Sequence, residues 1–498
     1  MAEMRCDVLV VGAGNAALCA ALAARERTDK VVVLERAPEA ECGGNSRFTA
    51  GAIRTVYNGV DDLKKLIPDL TEAEIARTDY GTYTREQFYD DMARITQYRG
   101  NPDMVERLIE RSFETLVWMR GKGVRFLPAY GRQAFKVGDK TRFWGGLTVE
   151  AYGGGPGLVA ALHAAAGRNG IDILYGTRAL GLLLDERRRV CGVRARQVHR
   201  SIDIAATSVV LACGGFEANA EWRTRYLGPG WDLAKVRGTR FNTGDGIRMA
   251  IDAGAMPYGN WSGCHAVGWD RNAPEFGDLA VGDGFQKHSY PLGIMVNATG
   301  RRFVDEGADF RNYTYAKYGR AILEQPQQFA WQVFDAKVLP MLRDEYRIRQ
   351  VTRARADSIE ALAPKLEGVD RAAFIAEVAA FNRAVRTDIP FDPSVKDGRC
   401  TTGLAVPKSN WANPLVQPPF EAYQITCGIT FTFGGLRIDG GGRVIDSEGE
   451  VMPGLYAAGE LVGGLFYFNY PGGTGLMSGA VFGRLAGQSA GEAAAVVA

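Results

Sequence analysis

Val8-Leu9-Val10-Val11-Gly12-Ala13-Gly14-Asn15-Ala16-Ala17 decides the fold. The apolar run reads as a buried strand, Gly12 as a tight turn, and the alanine-rich segment through Arg25 as a helix. A second apolar run, Val31-Val32-Val33-Leu34, ends on Glu35. Strand, glycine turn, helix, strand and acid follow one another at the spacing of a dinucleotide-binding fold. Gly12 allows the turn, Gly14 lets the backbone approach a pyrophosphate, and Ala17 keeps the helix close to the strand. The helix start at Asn15 and Ala16 turns free N–H groups and a positive partial charge toward the phosphates. Glu35 would bind ribose hydroxyls and repel a 2′-phosphate.

Three later segments read as returns to this nucleotide layer. Cys42-Gly43-Gly44-Asn45-Ser46 follows the second strand, and Ser208-Val209-Val210-Leu211-Ala212-Cys213-Gly214-Gly215-Phe216 is a buried strand running into paired glycines. Gly454-Leu455-Tyr456-Ala457-Ala458-Gly459-Glu460 is a short strand ending on a glycine and an acid. Charged helices are predicted over 85–98 and 102–121, and hairpin-like strands over 180–184, 190–197 and 202–206. A small-residue helix closes the chain over 474–497. The insertion at 261–428 carries its own core signals. These are a strand over 329–334 and an amphipathic helix over 371–386 with Phe374, Val378 and Phe381 on one face. Residues 388–419 read as loop. The fold expected is α/β: a Rossmann-like domain built from 1–260 and 429–498, interrupted by an α+β capping domain at 261–428.

Bulk composition narrows the function. In 498 residues, 59 Lys and Arg balance 57 Asp and Glu for a net charge of +2, with no basic block. Nothing here suits nucleic acid or another polyanion. No apolar run approaches the ~18 residues of a membrane span. Ala20-Ala21-Leu22-Ala23-Ala24 imitates a signal peptide but belongs to the first nucleotide helix. The eight cysteines form no C-x-x-C pair, so they read as buried free thiols in a reducing cytoplasm. Iron–sulfur and haem spacings are missing too, leaving a single internal cofactor for any redox chemistry. No metal site is expected. A disulfide reductase is disfavoured because Cys42 has no partner at short spacing.

These motifs, together with Thr243-Gly244-Asp245-Gly246 and Val296-Asn297…Gly300-Arg301-Arg302-Phe303, give a chain that resembles the fumarate reductase/succinate dehydrogenase flavoprotein family along its whole length. Within it, Phe216-Glu217-Ala218-Asn219, Arg237-Gly238-Thr239, Cys264-His265-Ala266-Val267, Asp305-Glu306-Gly307-Ala308-Asp309-Phe310 and Pro407-Lys408-Ser409 make the likeness greatest to tricarballylate dehydrogenases. The resemblance implies FAD, a mobile capping domain, and chemistry on a carbon–carbon bond beside a carboxylate or other electron-withdrawing group. It places cofactor contacts at Gly12, Gly14, Asn15, Ala16, Glu35, Arg36, Gly43, Gly44, Asn45, Ser46 and Gly51. Further contacts fall at Ala179, Ala212, Gly214, Asp245, Glu460, Gly473, Gly475 and Leu476. Gly43-Gly44 would give access to the diphosphate, Asn45 and Ser46 would donate to the cofactor, and Glu460 would meet ribityl or ribose hydroxyls. The closing helix would set its positive end under the flavin pyrimidine. Family members that attach FAD through histidine place that residue soon after the second strand. Here the first histidine is His163, so the FAD is expected to be dissociable.

Desaturating a CH–CH bond needs hydride transfer in one direction and proton removal from the neighbouring carbon, and reduction reverses both. By the resemblance Arg311, after Arg302-Phe303-Val304-Asp305-Glu306, is the proton donor, one residue later than in fumarate reductases. An arginine, with a pKa of about 12 or more, is better at delivering a proton than at removing one. His265 matches the histidine that binds a substrate oxygen. The fumarate-type histidine falls at Phe431, the carboxylate-binding arginine at Tyr470, and the proton-relay glutamate and arginine near Gln286 and Ser289. Losing a bidentate arginine makes fumarate an unexpected substrate. Tyr470-Pro471-Gly472 is similar to 3-ketosteroid dehydrogenases, in which a tyrosine polarises a ketone. The catalytic candidates are therefore Arg311, His265 and Tyr470, in an enzyme acting on a tricarballylate-like acid. Alternatives are a more apolar carbonyl substrate and a non-catalytic flavoprotein subunit. Electrons would come from, or go to, a separate partner.

Overall fold

The computed structural model describes residues 4–497. Its largest sheet is centred on Met4–Val11, which runs parallel to Val31–Leu34 on one side and to Arg200–Leu211 on the other. Val31–Leu34 is flanked by Asp172–Leu174, also parallel. Arg200–Leu211 continues antiparallel into Val190–Gln197 and then Thr177–Leu184, and its end pairs parallel with Val451–Ala457. Where the three central strands lie side by side, Val8–Val11, Val31–Leu34 and Val209–Leu211 are buried apolar runs, as expected for parallel strands covered on both faces. The predicted strand at 202–206 and the strand before Gly214 are one continuous element, Arg200–Leu211.

Helix Asn15–Arg25 packs against the first sheet and against the closing helix Thr474–Val497. Small residues set that closeness: a Cβ on Gly487 would lie 2.1 Å from the Ala20 carbonyl oxygen. Gly12 is constrained twice, by φ of 110° and by a position where a Cβ would meet the Ala212 oxygen at 2.4 Å.

The second sheet is organised by Phe420–Leu436, a 17-residue strand. It pairs antiparallel with Pro257–Asp270, Ala330–Phe334 and Arg353–Ala356, and parallel with Lys235–Val236. Ile294–Asn297 adds an edge beside Ala330–Phe334. The expected boundaries at 261 and 428 fall inside two of these strands, the first at a bulge where the pairing passes from Asn260 with Phe433 to Cys264 with Thr432. Helix Arg371–Ala384 covers this sheet with Phe374, Val378 and Phe381. Helix Arg85–Ile95 ends earlier than predicted, where Gln97 and Tyr98 take positive φ. Between 388 and 419 there is no helix, and Thr401 makes an isolated bridge. Among the described residues no helix is long and apolar enough to cross a membrane, and no group of His, Cys, Asp and Glu is suited to hold a metal. All eight cysteines are free.

Candidate active site

A channel opens at the carboxyl ends of Met4–Val11 and Val31–Leu34. Gly12, Gly14, Asn15, Ala16, Glu35, Arg36, Gly44, Asn45, Ser46, Ala179, Ala212, Gly214, Asp245 and Glu460 all line it. Asn15, Ala16, Asn45, Ser46 and Glu460 also line an adjoining inner cavity, which adds Gly473, Gly475 and Leu476. Residues scattered from 12 to 476 therefore converge on one path. Gly43 and Gly51 line neither space. The room at Gly43 is taken by Val159 and Arg47, and Gly51 packs against the backbone of Gly154.

The channel fits FAD. Helix Asn15–Arg25 starts on Gly14 with no side-chain cap, and the Asn15 amide donates to Ser46 Oγ at 3.1 Å. First-turn amides have no intrahelical acceptor, and Gly14 keeps the approach clear for a pyrophosphate. Glu35 accepts from the Ala13 and Ala37 amides at 3.1 and 2.7 Å. A carboxylate has about four lone-pair sites, so acceptor capacity remains for ribose hydroxyls. Burial pushes Glu35 above the usual carboxylate range, and the backbone amides oppose it. Arg36 and Arg178 both hold Asp245, at 3.1 and 2.8 Å.

Asn45 departs from expectation. Its amide donates to Glu217 Oε1 at 2.7 Å and to the Thr430 carbonyl at 2.6 Å, while its oxygen accepts from the Thr239 amide. With both N–H bonds committed, its side chain is a strut across the two sheets. Glu217 is fully buried, and burial together with neighbouring Glu460 pushes it well above the usual carboxylate range. Burial raises Glu460 as well.

The inner cavity takes in about 1200 Å³ when counted out to open solvent. One wall is aromatic, with Phe431, Phe433, Phe466 and Tyr470 in contact. Tyr470 sits in the turn before the closing helix. Its phenol oxygen accepts from the Gly473 amide at 2.9 Å and from the Tyr315 hydroxyl at 3.1 Å. With both lone-pair sites of that oxygen taken by donors, its own O–H is left to point elsewhere. Burial, followed by Tyr470, raises Tyr315 well above the usual phenol range, which suits a group that keeps its proton. His265 is buried between Tyr315 and Tyr470, with ring centroids 4.9 Å from each, and stacks on Phe431. Burial, then the nearby Arg237 charge, holds it well below the ordinary imidazole range, so it is neutral.

Arg311 opens the turn Arg311–Tyr313 ahead of helix Tyr315–Leu323. It is 8% exposed, forms no ion pair among the described residues, and its Nε has no hydrogen-bond partner there. Its Nη2 reaches the Arg132 carbonyl at 3.4 Å, and its guanidinium lies 5.6 Å from the Tyr315 and Trp144 rings. The structure thus brings Arg311, His265 and Tyr470 into one cavity.

Four residues absent from the sequence-based candidate set join them. Arg237 pairs with Asp283 at 2.6 Å, and Arg132 approaches the same carboxylate at 3.8 Å. Arg343 donates to the Arg132 carbonyl and lies 3.8 Å from Glu345; burial, then the Arg311 charge, lowers it to about 9. His288 is buried with neither ring nitrogen partnered among the described residues. Arginines thus remain at the cavity, although not at position 470. Arg237 stood in a quoted motif, and His288 is two residues from Gln286. The loop carrying Arg343 has no periodic pattern and gave no signal.

The family model for an FAD binding domain matches residues 7–476. A cytochrome-type fumarate reductase of Shewanella frigidimarina is 28% identical over 490 residues, covering 97% of this chain and 76% of its own length. A 3-oxosteroid 1-dehydrogenase of Mycobacterium tuberculosis is 27% identical over 571 residues, with 96% and 97% covered. The open conformation of a flavocytochrome c3 fumarate reductase superposes with a TM-score of 0.73 at 27% identity, covering 99% of this chain and 79% of that one. Glycine turn, channel and whole-length likeness agree: the chain belongs to the FAD binding domain family, among the flavoproteins of the fumarate reductase/succinate dehydrogenase type.

Proposed function

We propose that this FAD-dependent oxidoreductase interconverts a CH–CH and a C=C bond beside an acyl oxygen, whether of a carboxylate or a ketone. One observation carries the reading: the buried, unpaired Arg311 guanidinium faces the same cavity as the doubly hydrogen-bonded Tyr470. Bound FAD supplies hydride acceptance or delivery. Arg311 receives the acyl oxygen and stabilises negative charge developing on it. Neutral His265 orients that oxygen from the aromatic wall. Tyr470 Oη holds or gives up the proton exchanged at the adjacent carbon, with Tyr315 and the Gly473 amide steadying its anion. This reading gives the proton to Tyr470 and the charge to Arg311, since a guanidinium is a poor base.

The 43–51 stretch contains no histidine, which supports dissociable FAD. Eight free thiols favour a reducing cytoplasm, and a separate redox partner supplies or removes electrons. The test is anaerobic absorbance of the oxidised flavin against tricarballylate, succinate, shorter saturated acids and a 3-ketosteroid. Bleaching by an acid or a ketone that is lost in Arg311→Gln and in Tyr470→Phe is the expected result. Equal bleaching by either variant refutes the assignment.

A further inference from the structure

Beyond the inner cavity lies a second one of about 1100 Å³. Arg132, His288, Arg311 and Arg343 line both and form the neck between them. The outer wall is a ladder of rings. Phe135 stacks on Trp144 with centroids 6.1 Å apart, Trp144 on Phe310 at 5.2 Å, and Phe310 meets Trp411 at 5.7 Å. The rim is cationic, with Lys136 and Arg347 joining the neck arginines and Asp344 opposing them. Trp144 is 7% exposed, and its indole N–H has no acceptor among the described residues. None of these outer groups has a task in the chemistry assigned to the inner cavity.

We propose that the outer cavity is a substrate subsite for a planar aromatic group carrying an anionic or acceptor substituent. This rests on the reading that Arg311 receives the acyl oxygen. Order along the path fixes the substrate's shape: reacting carbons inside, acyl oxygen at the neck, and the arene on the far side of the acyl carbon. The preferred substrate is therefore an aryl ketone type rather than a small polycarboxylate. Ring faces stack on the ladder, the cationic rim attracts an anionic substituent, and the Trp144 N–H donates to an oxygen on the ring.

Saturated ligands test this against the holoprotein with its flavin kept reduced under anaerobic conditions, where no hydride acceptor remains, through perturbation of the reduced-flavin spectrum and through calorimetry. The probes are butanone, propionate, propiophenone, 4-propionylbenzoate and 3-phenylpropionate, the last carrying its ring on the wrong side. Propiophenone should bind about tenfold or more tighter than butanone, the return for burying one ring. The benzoate should bind tighter still, with an advantage that shrinks with salt. Phe135→Ala should reduce the propiophenone-to-butanone ratio, Lys136→Glu should reduce only the benzoate's advantage, and 3-phenylpropionate should show no dependence on Phe135. A ratio near one, or a ratio unchanged by Phe135→Ala, overturns the subsite. Failure of the underlying reading looks different: Arg311→Gln would leave butanone and propionate binding unchanged while the Phe135 effect on ring-bearing ligands persisted.

Discussion

Tyr470 is poised by what it accepts rather than by what surrounds it. With the Gly473 amide and the Tyr315 hydroxyl both directed at its oxygen, its proton is free to serve the cavity. Tyr470→Phe preserves the ring contacts with Phe431 and Phe466 and removes the hydroxyl, with its proton and its acceptor for the Gly473 amide and the Tyr315 hydroxyl. Its kcat should fall about 10²–10⁴-fold with little change in KM. Steady-state kinetics at several pH values check this, and a KM effect alone would move Tyr470 to binding. Glu150 offers a second test. Burial raises its carboxyl from 4.5 to about 7, against the pull of Arg132 and Arg343. Between those two pH values the folded chain holds a proton that the unfolded chain has released. Stability therefore falls as pH rises from 4.5 to about 7 and levels off above it, by at most ~3 kcal/mol. Urea midpoints across this range should show the slope in wild type and a flatter curve in Glu150→Gln. The new carboxylate charge also offsets Arg132 and Arg343, so acid ligands should bind more weakly above pH 7 in wild type than in the variant.

Between elements, one buried guanidinium ties the two reactive turns together. Arg54, just past strand Ala52–Ile53, donates to the Gly472 carbonyl at 2.9 Å and to the Tyr83 and Tyr313 hydroxyls at 2.8 and 3.2 Å. The Gly472 amide donates to the Asn312 carbonyl, and the Asn469 amide group to the Tyr313 carbonyl, both at 2.7 Å. The turns bearing Arg311 and Tyr470 are thus clamped to each other and to Arg54. Asp91 lies 3.5 Å from Arg54, and Arg94 holds the same carboxylate at 2.8 Å. Arg54→Met should cost about 3 kcal/mol, the low end for breaking a buried pair because Arg94 remains. Urea unfolding measures it, and adding Asp91→Asn should recover part of the loss; full additivity would deny the coupling. The same contrast explains what was legible in the sequence. Strand, glycine turn and acid are local signals, so Gly12, Glu35, Gly214 and Glu460 could be placed from spacing. Arg302 is buried against Glu306, four residues on inside a loop without periodicity, so no pattern marked the contact. Arg132, His288 and Arg343 meet only through the fold, and the side-chain bonds of Asn45 were not legible because its acceptors lie at 217 and 430.

For the molecule as a whole, the cofactor path is also a seam. Its walls come from the first helix, from the strands near 212 and 457, from the second sheet at 430–433 and from the start of the closing helix. A ligand bridging segments this far apart in sequence binds the folded chain and has no site in the unfolded one. Folding and FAD binding are therefore linked: each tenfold rise of free FAD above its Kd adds about 1.4 kcal/mol, reaching about 4 kcal/mol at a thousandfold excess. Protein stripped of FAD should unfold at lower urea, and its midpoint should climb with added FAD along that slope. A dissociable cofactor further requires that acid precipitation leave the yellow colour in the supernatant. Colour in the pellet, with a midpoint indifferent to added FAD, would mean a covalent link made by a residue other than a histidine after the second strand. Gly12→Ala adds a graded control, since its Cβ would meet the Ala212 oxygen at 2.4 Å beside the pyrophosphate turn. That variant should lose stability at every FAD concentration, because the clash is with sheet backbone and bound FAD does not relieve it. A loss that saturating FAD restores would instead place the damage in cofactor binding alone.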